Sequence, residues 1–531
     1  MNYQIEAAAI RKKLSSYTTN SVVEHLLTNL HLPQRPMSQG IQVPWIYCLT
    51  LEWVLEIETR PNAIDASARC VNKIINRVWN LQNSALKLNS TDDPMIEIRR
   101  MLIPQTRFQQ DHKERLIFLY RFIAIIELQS GKKTLRDQFE KQAGVSLDEF
   151  LIFATWLWVK LPFSERYFVS YETVINELCP VLTPFKVIHL LKLIGGTIPE
   201  LKDIIQHVRP CERVLNPSEY FDEPALIVKP IFLLEKGIST PQAHVLSIGV
   251  SEFVMRILKA EEPSRFKDTF TKLYEKYTSE LLSLHNLKSV HESTIETWYK
   301  EAGISGKVAD FLIQNDESSI LIDAKGVEPK TSMLTSGSST YIKDKLKDSL
   351  IKGVTQIAEC AGKLSLLKKI DIDLENRFGL VVTHQEHFIS EAEKLIEFCA
   401  GSSVNLRDVI EGKLLSKNIM FCTIADLEKI LSICDATKTA LSDVLKFCAD
   451  RQSDVKTRRF TFEQHIHEYH QHHGASAIVA INQMIKSQSD QYFEKCNSAV
   501  KRSLHYWGTP HELKVQQFTH SYALLKAKLG I

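Results

Sequence analysis

The feature that most constrains this chain is the stretch Lys307 to Gly326, KVADFLIQNDESSILIDAKG. Two apolar runs, Val308 to Gln314 and Ser319 to Lys325, are separated by Asn315-Asp316-Glu317-Ser318, residues with turn chemistry. The pattern predicts a β-hairpin. With the turn centred between Asp316 and Glu317, Asp310 and Asp323 each stand six residues from that centre. They then face each other across the pair, with Cβ atoms about 4.5–5.5 Å apart. Lys325 lies two residues beyond Asp323 and points to the same face.

Two ionised carboxylates side by side repel, and burial strengthens the repulsion. A divalent cation resolves the conflict, and hard oxygen ligands in this number suit Mg²⁺ or Mn²⁺. The plainer reading is a surface hairpin with three solvated charges. Both faces of both strands are apolar apart from those charges, which favours a covered, central position and with it the metal-binding reading.

Asp310, twelve intervening residues and then Asp323-Ala324-Lys325 resemble the signature of the PD-(D/E)XK nuclease superfamily, with Ala309 in place of the usual proline. The resemblance implies a restriction-endonuclease-like α/β domain, a mixed sheet flanked by helices, over roughly residues 240–430. It implies a Mg²⁺- or Mn²⁺-dependent nuclease in which Asp310, Asp323 and the main-chain carbonyl of Ala324 hold one or two metal ions and Lys325 orients the attacking water. Glu275, on an expected helix Phe266 to Leu282, and Gln356, on an expected helix Tyr341 to Leu367, match further catalytic positions of that family. Glu296 is a rival acidic ligand. The expected substrate is DNA, cut in defence against foreign DNA. An RNA-cleaving, transfer-RNA-directed toxin and an inactive nuclease-fold binding module are the alternatives. Members of the superfamily often dimerise to cut two strands, so a homodimer is one expected state.

The order of elements is consistent with this. Further strands are expected at Phe378 to Thr383 and Asn418 to Thr423, the latter running into a helix at Ile424. Between Lys325 and the next helix, Gly326 to Thr340 is rich in Ser, Thr and Gly. There Lys330, Ser336 and Ser338, with Lys343 just beyond, are candidate contacts to a phosphate backbone.

The rest of the chain is read around that domain. Residues 1–235 are expected to form a large all-α domain, because apolar residues recur at three- and four-residue spacing in segments such as His112 to Leu128 and Leu147 to Lys160. Leu135 to Phe150 has the Gly-Val-Ser turn of a helix-turn-helix. Its second helix, FLIFATWLWV, is too apolar for a DNA groove, so a pair of core helices is preferred. This half is read as a recognition, regulatory or oligomerisation module through which a trigger or regulatory protein restrains the nuclease. The breaker-rich run Pro210 to Pro241 suggests a boundary, giving a catalytic domain at 236–450 and a helical, His-rich extension at 451–531.

In that extension His465, His467, His470, His472 and His473 have helical spacings that admit a zinc pair, but Cys448 and Cys496 lie outside the cluster. A solvated or phosphate-contacting face is the preferred reading. Tyr469, Tyr492, Tyr506 and Trp507, with Arg458, Arg459, Lys501 and Arg502, are read either as nucleic-acid contacts or as ordinary packing. A net charge of +2 argues against a strongly basic coat, while leaving room for a local positive groove. Ten cysteines without a C-x-x-C pair fit free thiols in a reducing cytoplasm. The first residues lack the apolar core of a signal peptide, and the longest apolar run, Phe150 to Val159, is about half of the roughly 20 residues a membrane span needs, so no membrane partner is expected.

Overall fold

Nearly every side chain in PWIYCLTLEWVLE is apolar, so a helix built from it has no polar face and must be surrounded. The helix Pro44–Glu56 is buried from Ile46 to Glu56, with Pro44 in the first turn, where its missing N–H costs nothing. Its two glutamates are buried with cations. Arg209 lies 2.6 Å from Glu52, and Arg11 and Arg213 lie 2.7 and 3.0 Å from Glu56. Around this helix pack Tyr3–Leu14, Thr19–Leu30 and Ala68–Asn80.

The structure is a computed structural model. It describes residues 2–32, 43–86, 94–109, 112–209, 213–399, 405–473, 482–509 and 511–531. It divides into two compact units, Met1–Pro263 with Ser487–Ile531, and Ser264–Lys486. No helix among the described residues is long and apolar enough to cross a membrane.

The first unit is mostly helical. The helices Leu135–Ala143 and Leu147–Lys160 are joined through Gly144, whose φ of 69° is a left-handed conformation that favours glycine. The second of them buries Phe150, Phe153 and Trp156, so it is a core helix, as its composition suggests. The unit is not all-α, however. Strands β1 (Phe168–Ser170), β2 (Gly195–Gly196), β3 (Ile231–Leu234) and β4 (Gly237–Ser239) form a small sheet in the order β1-β4-β3-β2. These strands are too short to carry a readable period. The breaker-rich run Pro210 to Pro241, expected to mark a boundary, supplies two of them. The first boundary therefore falls at 263/264 rather than 235/236.

The second boundary also moves, from 450/451 to 486/487. Residues just past 450 are tied into the second unit. Gln452 donates to Ser390 Oγ at 3.0 Å and bonds His465, Phe460 stacks on Phe388, and Asn482 donates to Tyr277 Oη at 3.0 Å. Later residues belong to the first unit. There Tyr492 donates to Asp148 Oδ1 at 2.7 Å, and Trp507 Nε1 donates to the Cys179 carbonyl at 2.6 Å. Both aromatics are thus engaged in packing.

The second unit is built on one mixed sheet. Strands β5 (Ser289–His291), β6 (Phe311–Gln314), β7 (Ser319–Lys325), β8 (Arg377–Thr383) and β9 (Ile419–Thr423) lie side by side in chain order. β5, β6 and β7 pair antiparallel, and β7, β8 and β9 pair parallel. β7 and β8 are buried almost end to end, as expected for central strands covered on both faces. The helix expected from Tyr341 to Leu367 is divided into Ser339–Leu346, a π-helical turn Lys347–Ile351, and Lys352–Leu366. Ile424–Thr437 follows β9 directly, opened by a capping box between Thr423 and Asp426.

The β6–β7 turn is held by one side chain. Asn315 Oδ1 accepts from Glu317 N at 2.9 Å, Ser318 N at 2.7 Å and Ser318 Oγ at 3.1 Å. Asn315→Ala removes these bonds from an exposed turn, an expected loss of about 1 kcal/mol. Leu321→Ala, at a fully buried position of β7, should cost about 2–5 kcal/mol. Urea denaturation followed by circular dichroism will rank the two; a larger loss for Asn315→Ala would contradict this account of the sheet.

Candidate functional site

The pairing of β6 with β7 sets Phe311 opposite Ile322 and Leu312 opposite Leu321. Continued one step, this register places Asp310 opposite Asp323, as the hairpin symmetry predicts. The β5–β6 ladder sets His291 opposite Phe311, and Glu292 N donates to the Asp310 carbonyl at 3.0 Å. Glu292 is therefore opposite Asp310 on its other side. Three carboxylates, Glu292 just past β5, Asp310 just before β6 and Asp323 within β7, thus lie at neighbouring positions at one end of the sheet.

Asp323 is completely buried in β7. Lys325 Nζ lies 2.7 Å from its Oδ2 and 2.9 Å from its Oδ1, with the hydrogen bond directed to Oδ1. Asp323 Oδ2 is left buried with no hydrogen bond. Lys325 also donates to Gln356 Oε1 at 3.0 Å, and Gln356 Nε2 donates to the Val308 carbonyl at 3.3 Å. Asp310 Oδ2 accepts from Ala324 N at 2.6 Å, which fixes the first aspartate against the strand that bears the second. Ala324 itself is buried.

Two helices close over the row, each at a glycine. A Cβ on Gly326, just after β7, would meet Tyr274 Cβ at 3.3 Å and Thr271 Cα at 3.4 Å, so the helix Pro263–Leu284 crosses closely there. A Cβ on Gly353 would meet Asp323 Oδ2 at 3.0 Å and Val381 Cγ1 at 2.9 Å. The missing side chain lets the helix Lys352–Leu366 lie directly against the buried carboxylate.

The electrostatics follow from burial and crowding. Desolvation raises the Asp310 carboxyl well above its ordinary range, and neighbouring Asp323 adds to the rise. Desolvation likewise raises Asp323, opposed by Lys325 and by Lys352. Burial, then Asp310 and Glu292, push Glu275 up to about 7. Glu292 is raised by partial burial and by Glu296. The lysines nearby, Lys325 foremost, offset this crowding only in part. As the side chains stand, no three His, Cys, Asp or Glu groups among the described residues are close enough to form a metal cluster. The burial of Asp323 beside Asp310 and the crowding of hard oxygen donors nonetheless fit a hard divalent cation held by these two carboxylates.

Asp310, Asp323, Lys325, Glu275 and Gln356 are thus brought together, with Ala324 beside them. The other candidates fall elsewhere. Lys330 is exposed at the start of a short helix, Thr331–Leu334, within the segment expected to be an open loop. Ser336 Oγ accepts from Ser338 N, and Ser338 caps the helix Ser339–Leu346. Lys343 lies near Cys399. Glu296 is exposed beside Lys300. Of the histidines, His465 is buried against Gln452, His472 lies 3.7 Å from Glu468, and His473 stacks on Tyr469. Arg458 and Arg459 pair with Glu391 and Glu468.

Sequence reasoning missed Glu292, because β5 is three residues long and carries no alternation that announces it. It also missed the significance of Gly353. Lys352, at the start of the helix Lys352–Leu366, is a second cation in the electrostatic surroundings of Asp323. At the opposite end of β6 and β7 a concavity of about 390 Å³ is lined by His285, Asn315, Ser318, Asp435 and Lys438, remote from the acid row.

No family model, curated protein or solved structure matches this chain.

The raised carboxyls carry a sign for stability. Their folded affinities for protons exceed the unfolded ones, so the metal-free fold holds protons that the unfolded chain has released. Stability should therefore fall as pH rises from the ordinary carboxylate range, about 4, to about 7. Thermal unfolding in EDTA across that window should show the fall, and Glu275→Gln should flatten part of it. A slope unchanged in the variant would mean that Glu275 is not crowded by its neighbours.

Proposed function

We propose that the protein is a metal-dependent nuclease that hydrolyses phosphodiester bonds, with DNA as its substrate, and that Ser264–Lys486 is a restriction-endonuclease-like domain. The observation that carries this reading is the fully buried Asp323 beside Asp310, with Lys325 as its only ion-pair partner among the described residues and itself shared with Gln356. Burying such a set costs several kcal/mol in the absence of a ligand. A structural ion pair would be expected to match its charges, and this one does not.

In this reading Asp310 and Asp323 hold Mg²⁺ or Mn²⁺, which when bound neutralises the scissile phosphate and acidifies a water. Lys325, fixed by two acceptors, presents its remaining proton to the water or to a non-bridging phosphate oxygen, where negative charge develops. Gln356 keeps that ammonium on station through its own bond to Val308. Glu275, with an affinity for protons near neutrality, takes the proton from the attacking water. The water oxygen bonds to phosphorus, the ester P–O bond breaks, and the departing oxygen takes a proton from solvent. Nothing in this set reads the sugar, so RNA is a necessary arm of the test.

Supercoiled plasmid, linear duplex, single-stranded DNA and total RNA should be incubated with the protein and Mg²⁺, Mn²⁺ or EDTA. Metal-dependent cutting of DNA is expected. Asp323→Ala and Lys325→Ala should each lower it by at least about a hundredfold, and Gln356→Ala by about tenfold. Cutting of RNA alone would move the assignment to an RNA-cleaving enzyme. Cutting that persists in both Asp323→Ala and Lys325→Ala would overturn the site.

A further inference from the structure

At the end of β6 and β7 farthest from the acid row lies the cavity of about 390 Å³. Its apolar wall includes Ile313 and Ile320, which oppose each other in the β6–β7 ladder, and Leu431 from the helix Ile424–Thr437. Ile320 and Asp323 are three residues apart on one strand, so their side chains leave opposite faces of the sheet. The cavity is therefore separated from the acid row by the length of the hairpin and by the thickness of the sheet. The proposed hydrolysis makes no use of it.

Charge in the lining is mainly positive. Lys288 stands just before β5, and Lys438 is the residue that ends the helix Ile424–Thr437. Neither ammonium has an ion-pair partner among the described residues. Asp435 is the one carboxylate in the lining, and it is already engaged, with Oδ2 2.7 Å from His285 Nδ1. Nε2 is then the nitrogen that His285 has left for a ligand. With a carboxylate on one side and an anion on the other, both ring nitrogens donate. Asn315 adds a fixed amide. Its Oδ1 accepts three hydrogen bonds within the turn, which holds the side chain in place and leaves the Nδ2 donors. The turn acids Asp316 and Glu317 line a separate depression that meets this cavity at Ser318 and Ser442, so they limit an anion to the lysine side.

We propose that this cavity binds a phosphate monoester with an aromatic or apolar body, either a free mononucleotide or the phosphorylated end of a strand, with Lys288, Lys438 and Asn315 on the phosphate. Two unpaired ammoniums match a dianion better than the single charge of a carboxylate, and three terminal oxygens give each donor its own acceptor. The wall of Ile313, Ile320 and Leu431 takes the organic body, which inorganic phosphate lacks. The site stands whether or not the acid row holds a metal.

The test is binding to the full chain in EDTA, followed by isothermal titration calorimetry. The probes are adenosine monophosphate, adenosine, inorganic phosphate, and a short DNA oligomer with and without a terminal phosphate. The monophosphate or the phosphorylated oligomer should bind more tightly than adenosine, inorganic phosphate or the unphosphorylated oligomer, and the tighter of the two names the source. Lys288→Gln and Lys438→Gln should each weaken binding by at least about tenfold. Lys300→Gln, at an exposed lysine outside the cavity, should leave it unchanged. Lys288 and Lys438 are exposed, so neither substitution should move the urea midpoint, which separates lost binding from lost folding. Adenosine bound as tightly as its monophosphate, or binding unaltered in both lysine variants, would overturn the site. Wild type that binds neither the monophosphate nor the phosphorylated oligomer would overturn it as well.

Discussion

The carboxylate of Asp323 sits in the middle of a sheet with no exposure to solvent, and the second unit is arranged around that fact. Lys325 is its only direct ionic partner among the described residues, and an ammonium on a flexible stem is a weak restraint unless something else holds it. Gln356 supplies that restraint, and its amide nitrogen ties back to Val308 beside the first aspartate. The helix carrying Gln356 can approach only because Gly353 presents no side chain to Asp323 and Val381. The chain of dependence thus runs from one buried charge to a lysine, a glutamine and a glycine on a facing helix.

Buried charge elsewhere in the protein is treated differently. In the helical unit, Glu52 and Glu56 are as buried as Asp323, yet each meets arginine at 2.6–3.0 Å, and Glu97 is bound by Arg100 through both of its oxygens. Arginine offers several donors in a fixed plane, so these carboxylates are neutralised and hydrogen-bonded at once. That is the pattern of structural ion pairs. The acid row gathers carboxylates faster than cations. The contrast within one molecule separates acids that hold the fold from acids that wait for a ligand.

How much of this was legible in the sequence depended on the length of the element. The β6–β7 register could be read because two apolar runs flank a turn whose symmetry fixes which residues oppose. Long amphipathic segments gave the helices bearing Glu275 and Gln356, and the apolar strands β8 and β9 were evident from composition. The strands of three residues or fewer, β1, β2, β4 and β5, left no period to detect, and with β5 went Glu292. The breaker-rich run Pro210 to Pro241 was read as a domain boundary, with a strand or short helix open for its apolar stretch; Ile231–Leu234 is a strand, but it pairs within the first unit. Breakers mark where the chain turns; they do not mark where a domain ends.

The helical unit is assembled from two stretches of chain separated by the whole of the sheet-bearing unit. Asp148 and the Cys179 carbonyl, from the early stretch, receive bonds from Tyr492 and Trp507, from the late one. During synthesis the early helices therefore leave the ribosome without the partners that complete their packing. The sheet with its acid row is contiguous and can close on itself first. In sequence the second unit is an insertion in the first, so loss of the last helices would remove part of the helical unit while sparing every residue of the row.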